Sequence, residues 1–127
     1  MHHFDEDIAA VTRGNDDFRR VVKTGEHSQV VLMTIQPGSE IGEEVHEDVD
    51  QVLVFVEGRG EAVIEGDANP VGPGQLAFVA AGTRHNFRNT GDGPLKLWTV
   101  YAPPEHPDGT VHRTKEEADE YERAHHH

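Results

Sequence analysis

The side chains best suited to chemistry in this chain are two histidines, an acid and an amide. Glu44 and His46 stand two residues apart, so on an extended backbone both point to one face while Val45 points to the other. Gln51 comes after a polar stretch and opens the apolar run from Val52 to Val56; its face would be shared by Leu53 and Phe55. His85 lies in a distant segment, between Gly82 and Asn89. Two imidazoles and a carboxylate are a set that non-haem Fe(II) sites use, with positions left open for substrate. Gln51 would add a neutral oxygen donor. Manganese, iron, zinc and nickel are not distinguishable from these residue types alone. Taken singly, each residue has an ordinary alternative: His46 as a solvated side chain, His85 as a hydrogen-bonding one, Glu44 as an exposed acid.

The rest of the composition narrows the possibilities. With no cysteine, a disulfide framework and a thiolate metal site are both excluded. The formal net charge of −13 argues against nucleic acid and anionic membrane as partners, since both require a basic footprint. It also disfavours long-range attraction of phosphorylated substrates, and no lysine–arginine cluster is expected on an inward face. No apolar run is long enough to span a bilayer and no signal pattern opens the chain, so a cytoplasmic protein is expected. Of the ten histidines, His2, His3, His125, His126 and His127 lie at termini expected to fray, where they can bind metal non-specifically.

The elements that must position these residues read mainly as strands. Asp5 to Ala10 is compatible with a short helix. Strand patterns cover Arg19 to Lys23, Ser28 to Ile35, Val52 to Val56, Glu61 to Glu65, Gln75 to Val79, Arg84 to Arg88 and Leu95 to Tyr101. The run Val52 to Val56 suggests a strand buried on both faces. Leu95, Leu97, Thr99 and Tyr101 should share one face. Gly58 to Gly60 reads as a tight turn, and Asn69 to Gly74 as a loop rich in breakers. Thr114 followed by Glu117 starts like a capping box for a charged helix over Lys115 to Ala124. The expected organisation is an N-terminal arm over residues 1–18, a β domain over 19–104, and a C-terminal arm with a surface helix over 105–127.

Two segments together resemble the sequence motifs of the cupin superfamily. The second motif matches at Gly74, Gly82, His85 and Asn89, with Ala80 where proline is usual. The first matches at Gly42, His46 and Gly58, with Glu44 where a first histidine would stand and Gln51 where a glutamate would. The resemblance implies an all-β fold, the double-stranded β-helix or jelly-roll barrel, with a short C-terminal helical tail. It also implies that His85 lies beside the first motif, so that Glu44, His46, Gln51 and His85 converge on one divalent metal ion. The four motif glycines are read as turn residues that need unusual backbone angles.

Further expectations follow from this resemblance. The chain is similar to small single-domain cupins often labelled mannose-6-phosphate isomerase-like. That likeness implies a small-molecule ligand in the barrel, a homodimer, and metal-assisted isomerisation of a small sugar or sugar phosphate. An Fe(II)-dependent oxygenase and a non-catalytic binding module with a degenerate site are the alternatives, and no catalytic residue is assigned. Arg84 and Arg88 should turn away from His85 toward surface carboxylates. Trp98 and Tyr101 should pack in the core or at an interface. The proline-rich tail with His106 and His112 reads first as an arm packed on the barrel, and second as a cover lending one histidine as an acid or base.

Overall fold

The computed structural model describes residues 3–125 of the chain. Its strands form two antiparallel sheets, as the short β-branched runs and Gly/Pro turns lead one to expect. In chain order the strands are β1 (Arg19–Thr24), β2 (Gln29–Ile35), β3 (Asp50–Glu57), β4 (Gly60–Ile64), β5 (Asp67–Val71), β6 (Leu76–Val79), β7 (His85–Asn89), β8 (Leu95–Ala102) and β9 (Val111–His112). Two helices flank them, α1 (Ile8–Arg13) and α2 (Lys115–His125). The larger sheet has the order β6-β3-β8-β2-β1-β9 and the smaller β5-β4-β7. No helix among the described residues is long and apolar enough to cross a membrane.

The inner face of the large sheet is built in rows set by strand register. Phe55, Leu97, Met33 and Arg19 form one row, and His112 lies beyond Arg19 on β9. Leu53, Thr99, Val31 and Val21 form the next. Gln51, Tyr101 and Gln29 form a third, with Tyr101 between the two glutamines. All of these residues are buried. Leu95, Leu97, Thr99 and Tyr101 therefore do share the inner face, and Leu53 and Phe55 lie under Gln51 as expected.

Several local expectations are corrected. β3 is not buried on both faces: it alternates, with Leu53 and Phe55 fully buried and Val52 and Val54 only half-buried. Helix α1 packs against the outer sides of β3 and β8 without closing them off. Helix α1 also starts later than expected, because Asp7 caps it through a bond from the Ala10 amide. The segment Asn69 to Gly74 is not all loop, since β5 pairs with β4 up to Val71. Pro70 is tolerated there because β5 is an edge strand. The short strand β9 carries no pattern that announces it.

His125 is not frayed: its ring stacks on Tyr121 at 4.0 Å, and α2 extends to it. His3 is exposed, whereas His2, His126 and His127 lie outside the described residues. Thr114 caps α2 through a bond from the Glu117 amide, as the capping-box pattern predicts. Gly42, Gly58, Gly74 and Gly82 all have positive φ. At Gly58 a side chain would also collide with the Pro94 carbonyl, so the β3–β4 turn admits only glycine.

Candidate metal centre

Backbone pairing outside the main ladders brings the two distant segments together. The Glu44 amide bonds the His85 carbonyl at 2.8 Å, and the His85 amide bonds the Glu44 carbonyl at 2.9 Å. The Gly82 amide donates to the His46 carbonyl at 2.8 Å. The Asn86 side chain accepts from the Gly42 amide and donates to Glu40. Asn89, the last residue of the second motif, donates to the carbonyls of Ile35 and Gly93 and so ties the end of β2 to the turn after β7. These bonds fix where Glu44, His46 and His85 sit.

One ligand atom from each of Glu44, His46 and His85 falls within a cluster 4.8 Å across. Glu44 Oε1 lies 3.6 Å from His46 Nε2 and 4.0 Å from His85 Nε2. The two imidazole rings are 5.3 Å apart. His85 Nδ1 is 2.9 Å from the Thr83 carbonyl, which can only accept, so Nδ1 carries the proton and Nε2 has the lone pair in the neutral ring. His46 Nδ1 faces Glu105 Oε2 at 3.2 Å and is held protonated by it.

Gln51 is 2% exposed on the same inner face. Its amide nitrogen donates to Thr99 Oγ1 at 3.1 Å. Its Oε1, together with His46 Nε2 and His85 Nε2, is buried with no hydrogen-bond partner. Buried polar atoms are nearly always paired, so three unpaired atoms on ligand-type side chains are ones that a bound cation would satisfy, with the Nε2 proton of His46 released as it binds. The donor set fits a divalent ion: two imidazoles, a carboxylate and a neutral amide oxygen, without sulfur.

The tail past β8 does more than pack. It folds against the site and brings Glu105 to His46, a contact that sequence reasoning missed. No periodic pattern marks Glu105, because its position depends on a tertiary anchor. Buried Gln29 supplies that anchor, accepting from the amides of Glu105 and His106 and donating to the His106 carbonyl at 2.7 Å. Neither tail histidine joins the ligand cluster among the described residues. His106 stands edge-on to Tyr101 at 5.1 Å, and Tyr101 edge-on to His46 at 5.9 Å. Tyr101 is therefore both core and a wall of the site.

Burial and charge set the protonation of this wall. Burial of His46 lowers its pKa, but its close contacts with Glu105 and Glu44 and their negative charge more than offset this, and without a bound ion the ring is pushed up to about 10. Burial raises Tyr101 and keeps its phenol protonated. Burial, reinforced by Arg19 and the neighbouring histidines, pushes His106 down to about 3, so its ring is neutral. His112 is lowered by burial and by Arg19.

Arginine placement is both confirmed and corrected. Arg84 pairs with Glu43 at 3.0 Å and Arg88 pairs with Glu61, both away from the site as expected. Arg19, in contrast, faces inward as a single cation, which the expectation of no inward lysine–arginine cluster did not single out. It is 4% exposed and lies opposite His112, with Nη1 3.3 Å from His112 Nδ1. The alternation of β1 carries the signal: Arg19 shares its face with Val21, and Arg20 points out.

The sequence profile of the cupin domain matches residues 31–101. Uncharacterized protein YrkC of Bacillus subtilis is 43% identical over 117 residues, which are 87% of this chain and 63% of YrkC. The chain thus spans less than two thirds of that relative. Mannose-1-phosphate guanylyltransferase of Escherichia coli is 28% identical over 79 residues, 62% of this chain but 16% of that enzyme. The crystal structure of BH2720 from Bacillus halodurans superposes with a TM-score of 0.91 at 45% identity, covering 92% of this chain and 93% of that one. The profile covers more than half of the chain, the two-sheet fold is shared, and the motif glycines and histidines stand in their expected places; the chain belongs to the cupin domain family.

Proposed function

We propose that the chain binds one divalent metal ion through Glu44, His46 and His85, with Gln51 as a fourth, neutral donor, and acts on a small polyhydroxylated compound. The observation that carries this reading is the set of buried, unpartnered polar atoms on His46, His85 and Gln51. The bound ion would polarise adjacent carbonyl and hydroxyl oxygens of such a compound. The chain's own residues hold the ligand nitrogens in place: Glu105 fixes the Nδ1 proton of His46, and the Thr83 carbonyl fixes that of His85. Tyr101 packs edge-on between His46 and His106 and forms a wall of the site.

Aldose–ketose isomerisation is the reaction class we favour. Its support is the mixed His/Gln/Glu donor set, together with the likeness to a segment of a sugar-nucleotide enzyme. The test is elemental analysis of chain purified without chelating resin, with His125, His126 and His127 replaced by alanine, followed by an aldose–ketose assay with the metal found. One equivalent of metal and turnover support the proposal; metal below one tenth of an equivalent defeats it. The compact two-histidine, one-carboxylate triad favours a second reading, an Fe(II)-dependent oxygenase. Oxygen uptake with Fe(II), in the absence of isomerisation, would select it.

A further inference from the structure

The interior of this strongly acidic chain contains a cation without a counter-charge. Arg19 is 4% exposed, and among the described residues no carboxylate lies within 4 Å of it. Its one polar side-chain contact is His112 Nδ1, and its Nε has no partner. The neighbouring His106 also leaves its buried Nε2 without a partner. The nearby acids Glu44 and Glu105 are both engaged with His46. A buried, unpaired guanidinium is costly, and a fold that retains one gains when an anion arrives from outside.

We infer that Arg19, together with His106, forms an oxyanion-binding subsite that holds the carboxylate or phosphate of the substrate. The inference rests on the proposed metal function and assigns the substrate class: a small hydroxy compound with an anionic end. Guanidinium geometry suits either group, since both offer paired acceptor oxygens. Neutral His106 can donate to such an oxygen without bringing charge. The subsite and the metal cluster are separated by a single ring: Tyr101 lies 5.9 Å from His46 and 5.1 Å from His106. The net charge of −13 sharpens the requirement, because an anion repelled at long range needs a local cation to hold it.

The experiment is calorimetric titration of the chelator-treated full chain with inorganic phosphate and, separately, with acetate, at constant ionic strength. Wild-type chain should bind one equivalent of at least one of them, and the stronger arm identifies the preferred group. Arg19→Met should weaken that binding at least tenfold while metal uptake, measured separately, stays at the wild-type level. Arg19→Lys should recover part of the binding, and it replaces Arg19→Met as the test should the methionine variant fail to fold. Wild-type chain that binds neither anion, or variants that bind as tightly as wild type, would overturn the subsite. Loss of the metal reading alone would appear differently, as Arg19-dependent anion binding in a chain that takes up no metal.

Discussion

Glu105 Oε2 lies 3.2 Å from Nδ1 of His46, on the ring edge opposite the nitrogen that faces Glu44 and His85. A carboxylate behind a ligand histidine fixes the ring's tautomer and orientation and raises its basicity as a donor. Glu105→Gln keeps the shape and one hydrogen bond but removes the charge. Metal affinity should fall about 10- to 100-fold, with the melting temperature little changed. Competition against a chromophoric chelator measures this; an unchanged affinity would show that Glu105 is only a surface acid resting on the site.

Gln29 determines whether Glu105 can act at all. Its amide oxygen accepts from the Glu105 and His106 amides, and its nitrogen donates to Thr24 Oγ1 and the His106 carbonyl. Gln29→Leu removes all four bonds while keeping the barrel interior filled. The expected cost is about 1–3 kcal/mol. Amide exchange at Glu105 and His106 should speed up, and metal affinity should drop to that of Glu105→Gln. Exchange that stays slow would mean the tail is held by other contacts.

The fold and the site differ in how much of them could be read in advance. β7 and β8 were legible because local signals suffice: Gly82 before His85, and alternating apolar residues from Leu95 to Tyr101. The pairing of His46 with His85 could be anticipated only through motif resemblance, since their meeting depends on backbone bonds between two distant segments. Glu105 and His106 reach their places through Gln29 and Tyr101, tertiary contacts that no periodicity in the tail announces, whereas the inward position of Arg19 follows the alternation of β1. β5 was missed for the opposite reason: Pro70 argues locally against a strand, and only the edge position makes it acceptable.

His46→Ala with His85→Ala should abolish stoichiometric metal binding in chain whose His125, His126 and His127 are alanine. The two Nε2 atoms are the buried, unpartnered nitrogens of the cluster, so no remaining pair replaces them. The fold should persist, because the β4–β7 ladder and the core of Phe55, Phe87, Leu95 and Leu97 remain. Circular dichroism checks the fold and elemental analysis the metal. Metal retained at one equivalent would remove this site from consideration.

The two histidines on either side of Tyr101 impose opposite pH dependences on the metal-free chain. His106 is pushed down to about 3, so the unfolded chain takes a proton near 6.5 that the folded chain does not. Its contribution to stability is complete above 6.5 and is lost as pH falls toward 3, at up to roughly 1.4 kcal/mol per pH unit. His46 is pushed up to about 10, so its contribution is complete below 6.5 and is lost as pH rises toward 10. The windows do not overlap, and one substitution separates them. His106→Phe should flatten the fall in urea-unfolding free energy between about pH 4 and 6 while leaving the alkaline limb as in wild type. An acid limb of unchanged slope would assign that loss to the carboxylates instead.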